Sequence, residues 1–276
     1  MLFRSVSPNG RYVALGLDGR AVVWDLQTMS LRATFKPYNN IVTALDFSPD
    51  GERLLVGAWD QQLDLWDLNT QQKVHSLVGH SDTIEVAIFS PDGRQVASGA
   101  SDNQVILWDV ASGVEQFRWD AGSWVTDVAF SPDGTQLAAA VWDHPALIWQ
   151  VSDGSLVSSI ARPAQAWVVD LAYTPDGRAL VLADWKYDLL VWDLAANGLR
   201  STLAGHADNP RTLAFSPDGR LLASAAEDGE LRIWDWQTLQ SVRSLESERL
   251  CAFSPDGRLL LAVGPNLQGL VIWYVP

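Results

Sequence analysis

Seven times along the chain a Ser/Thr-Pro-Asp/Asn-Gly turn is followed, about fifteen residues after its Gly, by a Trp that closes a short apolar run. The turns start at Ser7, Ser48, Ser90, Ser131, Thr174, Ser216 and Ser254; the tryptophans are Trp24, Trp66, Trp108, Trp149, Trp192, Trp234 and Trp273. Successive tryptophans are separated by 42, 42, 41, 43, 42 and 39 residues. A fixed period of this length means that each unit is one supersecondary element, unable to bury its own faces without a similar neighbour.

The third unit shows what the element is. Thr83-Ile84-Glu85-Val86-Ala87-Ile88-Phe89 is rich in β-branched and aromatic residues and reads as a strand. Ser90-Pro91-Asp92-Gly93 turns it, with Pro fixing φ, Asp bonding to nearby backbone and Gly accepting a positive φ. Residues 95–99 return as a second strand, 105–108 form a third, and 114–119 supply a fourth, outer one. Four antiparallel strands repeated seven times predict an all-β, seven-bladed β-propeller occupying residues 1–276 as one domain. The expected blades span about 1–36, 37–78, 79–120, 121–162, 163–204, 205–246 and 247–276.

Composition narrows the function classes. The net charge is −14, and much of the acid is repeat chemistry: six Asp lie in the turns, and five more follow a closing Trp. Such a surface repels phosphate backbones, so nucleic acid is not an expected partner. Apolar residues come in short runs, so no membrane-spanning segment is expected, and Met1 to Val6 lack the apolar core of a signal peptide. The single cysteine, Cys251, falls in an apolar stretch; it is expected to be a buried, inert thiol in a reducing cytoplasm.

Gly79-His80, Ser98, Asp102 and Trp108-Asp109 resemble the motif of the WD-repeat family, and the sixth unit repeats them as Gly205-His206, Ser224, Asp228 and Trp234-Asp235. The dense, near-uniform repeats look like bacterial members, which often follow a kinase or nucleotide-binding module in a longer chain. The resemblance implies that His80, Ser98, Asp102 and Trp108, and likewise His206, Ser224, Asp228 and Trp234, form buried structural networks. It also implies a protein-interaction scaffold rather than an enzyme. Units one, two and four keep Asp18, Asp60 and Asp143 but lack the His, the fifth has Lys186 and the seventh Leu267 at the Asp position, and all of these blades are expected to depend more on packing. The trio His80, Ser98 and Asp102 also matches the residue types of a hydrolase triad, but it recurs at fixed repeat positions without a Gly-x-Ser-x-Gly elbow. No catalytic residue, cofactor or metal site is expected; His75, His80, His144 and His206 lack ligand spacing.

The final unit lacks residues for an outer strand, because only three follow Trp273. The edge of 270–274 is therefore expected to be open. Either the natural start lies upstream, or a partner or second copy donates a strand.

Half of the fourteen tryptophans are not the repeat's own. Trp119 and Trp236 lie on or near outer strands, where packing accounts for them. Trp59, Trp142 and Trp185 share the turn between second and third strands, whereas Trp124 and Trp167 share a position six residues before the aromatic that ends the first strand. Both loops belong to the same end of a blade, so these five are expected around the mouth of the channel. With Asp127, Asp184 and Glu227 nearby, they predict a site for a Lys- or Arg-containing peptide. Indoles filling gaps between blades are the structural alternative, and a small-molecule or hydrolytic site in the channel is the functional one.

Overall fold

Each Pro-Asp-Gly turn is built in the same way. At the second, Ser48 Oγ donates to Asp50 Oδ1 at 2.5 Å and accepts the Arg53 N–H at 2.9 Å, while Asp50 Oδ1 accepts the Glu52 N–H at 2.9 Å. Gly51, at φ 71°, donates its N–H to the Ser48 carbonyl at 2.8 Å. The positive φ is why Gly closes the tetrapeptide. The same bonds recur from Ser90, Ser131, Thr174, Ser216 and Ser254, with Asn9 in place of Asp after Ser7.

The structure, a computed structural model, describes residues 4–36, 38–161, 167–186, 188–247, 249–263 and 270–275, with the backbone alone at 4, 249–251, 263 and 270. The Cys251 side chain and Leu267 lie outside the described residues. Among the described residues there are 27 strands in seven antiparallel sheets. No helix is long and apolar enough to cross a membrane.

The first sheet comprises β1 (Arg4–Val6), β2 (Tyr12–Leu17), β3 (Arg20–Asp25) and β4 (Ser30–Phe35), hydrogen-bonded in chain order. The third comprises β9 (Ile84–Phe89), β10 (Gln95–Ala100), β11 (Gln104–Asp109) and β12 (Glu115–Asp120). One register governs all seven: the closing Trp pairs with the second residue of the second strand, as Val13 with Trp24, Val96 with Trp108 and Leu260 with Trp273. In each four-stranded sheet a bulge follows where that Trp meets the outer strand, for example between Leu107 and Trp108. The last sheet has three strands among the described residues, β25 (Arg249–Phe253), β26 (Leu259–Val263) and β27 (Leu270–Tyr274), as the sequence predicts.

The chain divides into two compact units, Met1–Val128 with Val151–Gly154, and Ala129–Gln150 with Ser155–Pro276. In the first, Val23, Phe35, Val42, Val56 and Leu68 form one core, and Leu55, Leu65, Ile84, Ile106 and Trp108 another. In the second, Ile148, Ile160, Leu171 and Leu182 pack together, as do Ala223, Ile233, Phe253 and Leu260. Inner strands covered on both faces need apolar residues at successive positions rather than alternation. Their runs, such as Leu54-Leu55-Val56, all fully buried, follow that rule.

Candidate functional site

In the second unit, three of the indoles singled out in the sequence come into mutual contact. Trp142 lies in the turn after β14 (Gln136–Val141), Trp167 immediately precedes β17 (Val168–Tyr173), and Trp185 follows β18 (Ala179–Asp184). The Trp185 N–H donates to the Trp167 carbonyl at 2.9 Å, which fixes the two loops of one blade to each other. Trp142 and Trp167 stack with centroids 4.3 Å apart and 24° between planes. Trp185 meets them edge-on, at 5.4 and 5.3 Å and 80° and 67°. All three are half-buried. Offset stacking and T-shaped contact are the arrangements that ring quadrupoles favour.

This packing alters the expected cation site. A stacked pair at 4.3 Å leaves no room for a cation between its rings, so only the outer faces remain. The third indole already carries a cation, because Arg211 Cζ lies 4.7 Å from the Trp185 ring centroid. Arg211, on β21 (Pro210–Phe215), donates from Nε to Glu227 Oε1 at 3.0 Å and from Nη2 to the same oxygen. Asn209 Nδ2 donates to Glu227 Oε2 at 2.9 Å. Glu227 is exposed as expected, but it is engaged within the chain. Arg211 was missed in the sequence because a single Arg on a strand reads as a solvated charge. The available signal was Glu227, opposite it in the same blade.

Asp184 does not fit the expectation. It is only 5% exposed, and its Oδ1 accepts the Lys186 N–H at 2.9 Å. The carboxylate caps the turn that carries Trp185, because a strand-ending Asp can bond to backbone two residues ahead. It therefore positions the indole rather than facing solvent.

Trp59 and Trp124, in the first unit, are the exposed members of the five, at 42% and 38%. The Trp124 indole hydrogen-bonds to Glu85, whose Oε1 also accepts the Ser101 hydroxyl at 2.9 Å. Burial pushes the Glu85 carboxyl up, against those two hydrogen bonds. Asp127, on β13 (Val125–Phe130), is partly buried.

The two His-Ser-Asp-Trp sets form the expected networks. His80 Nδ1 lies 3.0 Å from Asp102 Oδ2, its Nε2 is 2.8 Å from Ser98 Oγ, and Trp108 Nε1 donates to the same hydroxyl at 2.9 Å. The second copy repeats these bonds at 3.0, 2.7 and 2.8 Å through His206, Asp228, Ser224 and Trp234. Burial lowers the His206 pKa despite Asp228, so the imidazole stays neutral. Its Nδ1–H then faces Asp228, and Nε2 accepts the Ser224 hydroxyl. Burial raises Asp102, but the hydrogen bonds from His80 and the Ser81 N–H outweigh it and leave that carboxyl below its usual range. Ser98 and Ser224 are fully buried, so neither hydroxyl is open to a substrate.

Units without the His are not left to packing alone. Trp66 Nε1 donates to the Tyr38 hydroxyl at 2.8 Å, and Trp192 Nε1 to Asn197 Oδ1 at 3.2 Å. An indole N–H removed from water needs some acceptor, and different blades recruit different ones.

The family profile described as WD domain, G-beta repeat, matches residues 29–67, 71–109, 115–150 and 197–235, more than half of the chain. Each matched segment runs from near the outer strand of one sheet to the third strand of the next. A comparison with curated proteins gave no match.

Proposed function

The chain belongs to the WD-repeat family, and on that premise we propose that it is a non-catalytic platform whose Trp-rich loops dock a basic peptide or protein segment. The observation that carries this reading is the half-buried cluster of Trp142, Trp167 and Trp185, drawn from loops of consecutive sheets. Indoles left partly in water are enriched among residues that dominate binding energy. Within the second unit Glu227 is the acidic group next to the cluster; in the first unit Trp59 and Trp124, with Glu85 beside the latter, are proposed as binding residues of their own. The net charge of −14 favours a basic ligand, disfavours nucleic acid and raises encounter rates with cationic segments. A cytoplasmic location belongs to the same reading, supported by the single cysteine.

The test is affinity capture with the wild-type chain and a Trp142→Ala/Trp185→Ala variant, both checked for folding. Loss of specific partners by the variant supports the proposal; recovery of the same proteins by both sinks it.

A second contact is proposed at β27, which pairs only with β26 among the described residues and exposes Ile272 (48%) and Tyr274 (81%). An extended strand from a second copy or partner would satisfy its open edge by β-augmentation.

A further inference from the structure

We infer that Glu227, Asn209 and the face of Trp185 turned to Arg211 form a subsite for a guanidinium group, held in this structure by the chain's own Arg211. The inference deepens the docking proposal and rests on it: the ligand class it names is an arginine-bearing segment that takes the place of Arg211.

Three observations converge in the second unit. The Arg211 guanidinium is arranged as a bound ligand would be, with Cζ 4.7 Å from the Trp185 centroid and Nε and Nη2 turned to one carboxylate oxygen. A planar fork of this kind matches a carboxylate and stacks on an indole, which a lysine ammonium cannot do as well. Glu227 is oriented from behind, since Asn209 Nδ2 donates to its second oxygen at 2.9 Å. Finally, Asn209 is only 7% exposed, and its Oδ1 has no hydrogen-bond partner among the described residues. The buried amide is held with Nδ2 toward Glu227, so the carboxylate stays oriented when Arg211 leaves.

Arg211 can leave. Its side chain is 35% exposed and that of Glu227 41%, so the ion pair is a surface pair of the weakly stabilising kind. Trp185 stays in place without it, wedged edge-on against Trp142 and Trp167 and tied through its backbone to Trp167. The site would then open without rebuilding its floor, and Arg211 would act as an internal competitor that admits only a ligand with the same head group.

The probe is Nα-acetyl-arginine amide, titrated against the isotope-labelled indole N–H resonances, with the neutral citrulline analogue as control. Arg211→Ala is expected to bind the arginine amide about tenfold or more tightly than wild type, the scale of one desolvated cation–π contact with its carboxylate. Citrulline should bind to neither, and Arg211→Ala/Glu227→Gln should lose the gain. Arg211→Gln is read in parallel, so that a folding defect of the alanine variant does not decide the outcome. Equal affinity in wild type and both Arg211 variants, or citrulline binding as well as arginine, overturns the inference. The probe is too small to span the Trp142 stack. A failed titration beside a successful partner capture therefore removes the subsite alone, and the reverse removes the docking reading alone.

Discussion

The indoles of Trp142 and Trp167 belong to loops of consecutive sheets and lie face to face, 4.3 Å between centroids. The contact ties the turn after one second strand to the segment entering the next first strand. It also sets the limit on what the cluster can bind, because these rings use one face on each other.

Replacing Trp142 by Ala removes the stack and one edge contact. Each aromatic pair is worth about 0.5–1.5 kcal/mol beyond area burial, so a loss of about 1–3 kcal/mol in unfolding free energy is expected. Closely packed indoles give exciton-coupled circular dichroism, and Trp142→Ala should alter that couplet, leaving only the contribution of the Trp167–Trp185 pair at 5.3 Å. A couplet that persists unchanged would mean the rings are not stacked in solution.

Ser98 is the shared node of a buried network, accepting from Trp108 and hydrogen-bonded to His80 Nε2. Ser98→Ala leaves both partners buried without a bond and should cost about 2–4 kcal/mol, measured by denaturant unfolding. Ser224→Ala should behave alike. A serine-directed phosphonylating probe should leave both hydroxyls unmodified in the folded protein, and labelling of either would contradict their structural role.

Asp46 and the turn carboxylates respond to pH with opposite signs. Asp46, on β5 (Val42–Phe47), accepts the Phe89 N–H at 2.9 Å and the Ser5 hydroxyl at 3.2 Å, yet burial prevails and raises its pKa to about 6. A carboxyl raised above its unfolded value binds protons more readily when folded. Its ionisation therefore costs nothing below the unfolded pKa, and the full penalty is present above about 6. Asp92 is the reverse case: the Ser90 hydroxyl and then the Arg94 N–H lower it, so its contribution is present above the unfolded pKa and lost as pH falls through the folded one. Asp46→Asn should accordingly stabilise the protein at about pH 8, by on the order of 1–3 kcal/mol, and lose that advantage near about pH 4. A variant equally or less stable than wild type at the higher pH would count against the burial argument.

Ile272 is exposed on the open strand β27, so Ile272→Lys should leave folding intact while placing a charge beside any added strand. Sedimentation is expected to show concentration-dependent association of the wild type that the variant abolishes. A wild type that stays monomeric at high concentration removes the second-copy version of the strand-donor proposal, and identical association of both chains removes the edge as its cause.

Period and turn chemistry made the architecture readable. Seven Pro-Asp/Asn-Gly turns in phase with seven tryptophans fix strand number, register and the three-stranded last sheet, because these depend on bonds between residues close in sequence. The networks at His80 and His206 were readable for the same reason, each lying within one repeat or at its threshold. Distances between repeats were not. That Trp142 meets Trp167 and that Arg211 covers Trp185 depend on the angle and offset between sheets. Side-chain packing decides those, and a linear pattern does not encode them. The sequence determined which residues share a loop; the tertiary structure alone decided which loops touch, because ring stacking and cation–π contact act over a few ångströms between segments of neighbouring repeats, 25 residues apart for Trp142 and Trp167 and 26 for Trp185 and Arg211.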